Sequence, residues 1–159
     1  MREILFRGKQ VDNGKWIEGY LVQKVDVDAG LSDFYIVDRF EYSQSADFVG
    51  KLYDCLYVIN PETVGQYTGL TDKNGTKIFE GDIIQTVRES FRGKITHNFV
   101  IKYGAYIPVY YCKEIYAEWE TIGFYAFDGK KTFQLSNQSQ NFLVIGNIHD
   151  NPELLESEG

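Results

Sequence analysis

The sequence predicts a mainly β fold. Short runs of β-branched and aromatic residues recur between turn signals, whereas a sustained helical repeat is rare. The 15 glycines and 3 prolines of the chain suit strands that are joined by tight turns. With 43% hydrophobic and 16% aromatic residues, the 159-residue chain has enough apolar surface to bury a core, as one domain or as two small modules.

Pro61 marks the predicted boundary between two β-rich regions, residues 1–62 and residues 63–159. A proline cannot donate to a central ladder, and it biases the preceding Asn60 away from helix. Several short strands are predicted after this point, and antiparallel strands of that size hide their edges best by curling into a small barrel. We therefore expect a small N-terminal β-sheet packed on an SH3-like β-barrel, with a short C-terminal helical turn.

The first region contains predicted strands at residues 4–7, 16–23, 34–37 and 53–59. Asn13-Gly14 separates the first two strands, because Asn-Gly accepts the positive φ angles that tight hairpins need. Residues 26–33 are polar and contain glycine, which predicts a loop, and residues 43–47 form a second polar break.

The second region opens with a predicted hairpin at residues 66–84. Its turn is Asp72-Lys73-Asn74-Gly75, and its second strand runs into the acidic corner Glu80-Gly81-Asp82. Further strands are predicted at residues 82–87, 94–103, 106–111, 123–127, 132–135 and 142–145. Pro108 indicates an edge or a bulge, and residues 113–120 suit one or two helical turns. Asp150 is expected to cap the terminal helical turn, with Pro152 near its start.

The formal net charge of −7 disfavours general nucleic-acid binding, since such a chain is repelled by phosphate backbones. Basic residues cluster weakly in one stretch that has a single acid, Glu89: these are Arg88, Arg92, Lys94 and Lys102. The first alternative is therefore a protein that binds a single-stranded nucleic acid on one basic face. Because residues 26–54 hold seven acids and two bases, a second alternative is an acidic decoy that occupies a host nucleic-acid-binding protein.

Residues 103–127 are rich in aromatic side chains: Tyr103, Tyr106, Tyr110, Tyr111, Tyr116, Trp119, Phe124, Tyr125 and Phe127. Tyr and Trp are enriched at the centres of protein interfaces, and aromatic rings beside bases also suit the stacking of single-stranded nucleic acid. Packing within the fold or between subunits would use many of the same rings. The predicted binding surface combines the bases with the aromatic residues: Arg88, Arg92, Lys94, Lys102, Tyr106, Tyr110, Tyr111 and Trp119.

The sequence contains no constellation that is typical of catalysis. His97 lies on the apolar face of its predicted strand, and His149 comes just before the terminal turn, so packing explains both imidazoles. No G-x-S-x-G elbow surrounds a serine, and the spacing of Glu80 and Asp82 does not by itself indicate an acid–base pair. We expect no enzyme, and a deep, wet cleft around either histidine would be the sign of one.

Metal and cofactor sites are not expected either. Cys55, Cys112 and the two histidines lack the spacing of zinc ligands. The acidic loop with Asp26, Asp28 and Asp33 lacks the closing Glu of an EF-hand. Residues 69–75 are flanked by glycine, but they do not match a P-loop, and a hairpin explains them.

The N-terminus shows no signal-peptide pattern, and no apolar run approaches the roughly 18 residues that a membrane span needs. The two cysteines lie far apart and form no CxxC pair. We therefore expect a cytoplasmic protein with reduced thiols and no membrane contact.

Three stretches of the chain resemble a known family. They are REILFRG with the later GKWIEGYLV, then PETVGQYTGLTDKNGTKIFEGDII at residues 61–84, and VIGNIHDNPELL at residues 144–155. By these motifs the chain is similar to the YopX proteins, which occur mainly in phages and prophages of Gram-positive bacteria and have no established biochemical activity. The motifs cover roughly a third of the chain, and the intervening residues 88–141 match none of them.

The resemblance implies a phage or prophage origin, a homo-oligomer and no catalytic residues; a host or phage protein is a further candidate partner. The motif residues have a structural interpretation, because glycines suit turns and close backbone approach, and asparagines bond to local backbone. A binding surface shared by the family is the alternative. The residues concerned are Gly69, Asp72, Asn74, Gly75, Glu80, Gly81, Asp82, Gly146, Asn147, Asn151 and Pro152.

Overall fold

The computed structural model describes residues 3–26, 28, 31–38, 55–91, 93–107, 109–110, 115–116, 120–135 and 142–155. Short 3-10 turns lie at Pro61–Thr63 and Pro152–Leu155. The described strands are β1 (Phe6–Lys9), β2 (Trp16–Asp26), β3 (Leu31–Val37), β4 (Leu56–Val58), β5 (Gly65–Thr71), β6 (Lys77–Phe79), β7 (Asp82–Ser90), β8 (Gly93–Tyr106), β9 (Val109–Tyr110), β10 (Ile115–Tyr116), β11 (Thr121–Phe127), β12 (Thr132–Gln134) and β13 (Leu143–Asn147). The predicted mainly β fold is confirmed.

The chain divides into two compact units, Met1–Tyr67 and Thr68–Gly159. The sequence placed a boundary between residues 62 and 63, at the proline. The division between the two compact units falls within β5, whose first residues pair with β1 through Phe6–Gln66 and Arg7–Gly65. The first unit therefore extends beyond Pro61, because β1 pairs with the start of β5.

A six-stranded sheet has the strand order β4-β3-β2-β1-β5-β6, and its strands from β4 to β1 belong to the first unit. Two glycines allow close packing on one face. A Cβ on Gly8 would lie 2.9 Å from Cδ1 of Ile59, and a Cβ on Gly19 would overlap the carbonyl oxygen of Val37. Ile36 and Ile59 are buried at this place, so the two glycines let strands and core side chains approach where any larger residue would force them apart.

The second unit is built on a five-stranded antiparallel sheet with the order β12-β11-β8-β7-β13. One face carries the core, whose buried members are Ile78, Ile84, Phe99, Ile101 and Ala126. Phe133 from β12 packs edge-to-face on Phe99, with 5.4 Å between the ring centroids. Leu70, Phe142 and Val144 add apolar contacts around this cluster.

The described strands of the second unit do not close into the predicted SH3-like barrel. In the five-stranded sheet, β12 and β13 each have a neighbour on one side only, so the sheet is open. The predicted helical turns at residues 113–120 are also wrong where the structure describes them, since Ile115–Tyr116 pairs with Val109–Tyr110 as a small antiparallel ladder. The predicted C-terminal turn is present at Pro152–Leu155.

Among the described residues, no helix has the length and apolar character that a membrane crossing requires.

Candidate functional site: a projecting hairpin and a distant aromatic cavity

Asp72 organises the turn between β5 and β6. Its Oδ1 accepts hydrogen bonds from the backbone N–H groups of Asn74 (2.8 Å) and Thr76 (2.9 Å), and Gly75 takes a φ of 84°, which favours glycine. Its Oδ2 accepts from the backbone N–H of Val144 at 3.1 Å. Burial raises the pKa of Asp72, but the hydrogen bonds from Val144, Thr76 and Asn74 outweigh it and hold that pKa below its ordinary value.

The corner before β7 uses Gly81 and Asp82. Gly81 has a φ of 81°, its N–H donates to the carbonyl of Ile101, and its own carbonyl accepts from Ile148. The Asp82 side chain is 1% exposed, and its Oδ2 accepts from the backbone N–H of Phe79 at 2.7 Å. This corner therefore links β6, β8 and the turn after β13 through backbone groups.

The third motif forms a turn after β13 that its own hydrogen bonds stabilise. The side-chain oxygen of Asn147 accepts from the backbone N–H groups of His149 (2.9 Å) and Asp150 (3.0 Å), and its Nδ2 donates to Asp150 Oδ2. A Cβ on Gly146 would lie 2.5 Å from Oδ1 of Asn151. Glycine is thus required there by close approach, and the turn leads directly into the 3-10 turn that starts at Pro152.

The hairpin of β7 and β8 extends beyond the neighbouring strands; we call residues 86–91 and 93–97 the arm. β7 and β8 pair with each other to the end, at Ser90 and Gly93. β13 pairs with β7 only as far as Gln85, and β11 pairs with β8 only as far as Val100. Among the described strands, the arm therefore has no neighbour on either side.

The root of the arm is held by a hydrogen-bonded bridge. The Gln85 side chain donates to Asn98 Oδ1 at 3.1 Å, and these two residues lie directly opposite each other. Asn98 Nδ2 in turn donates to the carbonyl oxygen of Leu154 at 2.9 Å. The 3-10 turn of the third motif therefore anchors the point at which the arm leaves the sheet.

The arm exposes apolar side chains on both faces and at its tip. Val87 lies opposite Thr96 on one face and Ile95 lies opposite Arg88 on the other, and both apolar residues are exposed. Phe91, at the turn, is fully exposed. Three bases, Arg88, Arg92 and Lys94, accompany them in the sequence with one acid, Glu89.

The aromatic end of β8 is packed differently. Tyr106 is 5% exposed and stacks on Tyr125 with 4.7 Å between ring centroids. Tyr103 packs edge-on against Phe124 at 5.0 Å, and Lys102 Nζ lies 4.7 Å from the ring centroid of Phe127. These rings are therefore engaged within the second unit rather than arrayed as a free stacking surface.

A cavity of about 270 Å³ opens beside Tyr106. Its apolar lining comes from Leu70, Ile122, Phe124 and Leu135, and the polar groups at it come from Thr68, Thr121 and Gln134. We call this space the aromatic cavity.

Two described residues of the predicted binding surface lie far apart, whereas Lys102 lies on β8 four residues before Tyr106. Lys94 and Tyr106 lie near opposite ends of β8, and a strand rises by about 3.3 Å per residue, which places them roughly 40 Å apart. Arg92, Tyr111 and Trp119, and the side chains of Arg88 and Tyr110, lie outside the residues that the structure describes. Of the described residues of this predicted surface, Lys94 is therefore remote from Tyr106.

His97 lines an open depression of about 590 Å³ on the arm with Glu89, Ser90, Phe91 and Ile95. Ser90 is opposite Gly93, so Ser90 and His97 are separated by about 13 Å along the ladder and cannot form a nucleophile–base pair. His149 is exposed and lies in the turn after β13. The described part of the chain holds no cluster of three potential metal ligands, and Cys55 is a free thiol.

Sequence reasoning identified the bases of the arm and missed its apolar side chains. Val87, Phe91 and Ile95 could be recognised only once the pairing of β7 with β8 and the reach of β11 and β13 were known. The alternation of Val87 and Ile95 with polar residues was a weak signal, because the same pattern occurs in strands that are covered on one face.

Comparisons with known proteins give the following matches. The family model described as YopX protein matches residues 5–156. The crystal structure of protein EF1440 from Enterococcus faecalis is similar to this chain with a TM-score of 0.54 and 25% sequence identity, over 98% of this chain and 99% of the other. No curated protein matches the chain.

Proposed function

This chain belongs to the YopX family, and from that premise we propose that it is a non-catalytic protein-binding module that associates with copies of itself. The observation that carries the proposal is the exposed Phe91 at the tip of an arm whose other apolar residues, Val87 and Ile95, are also exposed. Exposed apolar side chains that are grouped on one extended element favour an interaction site, because their exposure to water is unfavourable.

The arm is suited to such a role because its root is fixed and its end is not covered by described strands. The bridge from Gln85 through Asn98 to Leu154 sets the direction in which the hairpin leaves the sheet. A preformed element loses less conformational freedom on binding than a loop, so its apolar contacts contribute more of their free energy to affinity.

Binding is favoured over catalysis by the geometry around the histidines. His97 lies on the arm about 13 Å along the ladder from Ser90, which excludes proton transfer between them. We further propose that the module acts in the cytoplasm of a bacterium that carries the phage or prophage; the free thiol of Cys55 is consistent with a reducing compartment.

The test is sedimentation velocity of the full chain between about 1 and 100 µM, the range in which weak self-association of this kind falls. We expect the weight-average sedimentation coefficient to rise with concentration. A strictly monomeric chain across that range would remove self-association from the proposal.

A tagged chain recovered from the natural host, with and without nuclease, then tests the protein-binding part. One host or phage protein that stays bound after nuclease treatment supports a binding module. Recovery that disappears with nuclease would instead support nucleic acid, and a basic host factor that DNA competes off would support the acidic decoy.

A further inference from the structure

We propose that Asn74 is a site of spontaneous deamidation, at which the backbone nitrogen of Gly75 displaces the nitrogen of the Asn74 side-chain amide. The observation that carries the proposal is a difference between the two Asn-Gly turns of the chain, Asn13-Gly14 and Asn74-Gly75. Hydrogen bonds hold the carboxamide of Asn13 on both sides, whereas the carboxamide of Asn74 has no partner among the described residues. The inference concerns covalent chemistry and is independent of the proposed self-association.

The reaction uses only groups of the turn and water. The Gly75 nitrogen loses its proton to solvent and bonds to Cγ of Asn74, the Cγ–Nδ2 bond breaks, and Nδ2 takes up a proton and leaves as ammonia. Water then opens the resulting succinimide at either of its carbonyl carbons. Breaking the bond from Cγ to the ring nitrogen gives aspartate, and breaking the bond from the backbone carbonyl carbon to that nitrogen gives isoaspartate. No electrons are transferred, so the reaction needs no oxidant.

Both Asn-Gly turns allow the attacking nitrogen to be reached. Glycine has no side chain that would hinder this nitrogen. Gly14 and Gly75 are exposed, and a Cβ on either would meet nothing within 4 Å, so water has access to both turns. The N–H of Gly14 donates to the carbonyl of Gln10 at 2.9 Å, and the N–H of Gly75 donates to the carbonyl of Asp72 at 3.0 Å. Because such a bond must open at both sites, it does not distinguish them.

The carboxamide groups do distinguish the two sites. Asn13 Oδ1 accepts from the backbone N–H of Lys15 at 2.8 Å, and Asn13 Nδ2 donates to Gln10 Oε1 at 3.1 Å. In the described part of the chain, Asn74 is hydrogen-bonded through its backbone N–H alone, which donates to Asp72 Oδ1 at 2.8 Å. The Asn74 side chain can therefore turn toward the Gly75 nitrogen without losing a bond. Asn13 must first break two hydrogen bonds, and two bonds of ordinary strength slow such a step by roughly tenfold.

The isoaspartate product would disturb the turn that Asp72 organises. In this product the chain runs through Cβ and Cγ of residue 74, which adds one carbon atom to the backbone before Gly75. Asp72 Oδ1 holds the N–H groups on both sides of that linkage, those of Asn74 and Thr76, while its Oδ2 accepts from Val144. The lengthened backbone cannot keep both bonds to Oδ1 in place. We therefore expect the modification to weaken the link between this turn and Val144.

The test is a timed incubation of the full chain in isotopically labelled water at mildly alkaline pH, followed by peptide mapping with mass spectrometry. The label identifies product that formed during the incubation. We expect the acidic product at residue 74 to form about tenfold faster than the product at residue 13, because two hydrogen bonds protect the latter. In concentrated urea the hydrogen bonds of both turns are lost, so the two Asn-Gly pairs should react at similar rates.

Two variants make the test specific. Gln10→Ala removes the Oε1 that holds the Asn13 carboxamide, so the rate at residue 13 should rise several-fold while the rate at residue 74 stays the same. Asn74→Asp carries the charge of the product on a normal backbone. The isoaspartate form, separated by ion exchange and identified by peptide mapping, should therefore unfold at a lower urea concentration than Asn74→Asp.

The outcomes that overturn the proposal are distinct. Equal rates at the two sites of the folded chain, or a faster reaction at residue 13, would show that the carboxamide hydrogen bonds do not control the reaction. Product at residue 74 in urea but none in the folded chain would show that the turn protects Asn74. An isoaspartate form as stable as Asn74→Asp would overturn the expected effect on the turn of Asp72.

Discussion

The carboxylate of Asp72 accepts a hydrogen bond from the backbone N–H of Val144, with 3.1 Å between Oδ2 and the nitrogen. This bond joins the turn of the second family motif to the strand of the third. The backbone of Lys73 adds a second link, since its N–H donates to the carbonyl of Phe142 at 3.0 Å. The two motifs are therefore one structural element, although they lie far apart in the sequence.

Replacing Asp72 by Ala should destabilise the protein by about 2–4 kcal/mol, because three backbone N–H groups lose a charged acceptor in a buried place. Urea unfolding of the second unit measures the loss. Asp128→Ala is a matched control: its carboxylate also accepts from two backbone N–H groups, but within a more accessible turn. Equal losses for the two variants would contradict a special role for the bond to Val144.

The stability that Asp72 contributes should depend on pH. Its pKa in the folded protein is below the ordinary value, so the contribution is complete above the unfolded pKa, near 4, and is lost as pH falls through the folded pKa. The difference in melting temperature between the natural chain and Asp72→Asn should thus be constant from pH 7 to 5 and shrink below about pH 4. A difference that grows on acidification would refute this assignment.

Gly146→Ala should cost about 1–3 kcal/mol, because the added Cβ would lie 2.5 Å from Oδ1 and 2.9 Å from Cγ of Asn151. Asn151→Ala in the same chain should restore part of this loss, since it removes both atoms. A double-mutant cycle by chemical unfolding measures the coupling. Strict additivity of the two changes would mean that the glycine is needed for another reason.

Gly19→Ala should be more harmful than Gly146→Ala, with a loss of about 3 kcal/mol or more, because its Cβ would overlap the backbone carbonyl of Val37 rather than a side chain. Gly123→Ala is the control within a strand, since a Cβ there meets nothing within 4 Å. Thermal unfolding should show the largest loss of stability for Gly19→Ala, a smaller loss for Gly146→Ala and almost none for Gly123→Ala. A well-tolerated Gly19→Ala would show that β2 and β3 can separate at little cost.

We expect no measurable binding of single-stranded DNA, even at low salt. The bases of the arm are roughly 40 Å from the rings near Tyr106 along β8, and Lys102 is the described base of the predicted surface that lies beside those rings. Binding of a single strand needs a charged groove together with the stacking rings. Fluorescence anisotropy at low salt, for the natural chain and for Lys94→Glu, checks the expectation. Binding that falls steeply with added salt and is weaker for Lys94→Glu would bring the nucleic-acid alternative forward.

The sequence by itself determined the mainly β class, the hairpin turn at Asp72 to Gly75, the glycine corner at Gly81 and the terminal turn at Pro152. These features depend on local chemistry: a side chain that bonds to its own turn, a positive φ, or a proline at the start of a helical turn. The family motifs could be recognised for the same reason, because they contain many such residues.

Only the tertiary structure decided where β5 pairs and that the second sheet is open at β12 and β13. It also decided that β7 and β8 extend beyond β13 and β11. Each of these depends on register between segments distant in sequence, which periodicity does not specify. The separation of Lys94 from Tyr106 follows from the same cause. The pairing of β8 with β7 and β11 forms a strand of 14 residues, and this pairing places Lys94 and Tyr106 near its opposite ends.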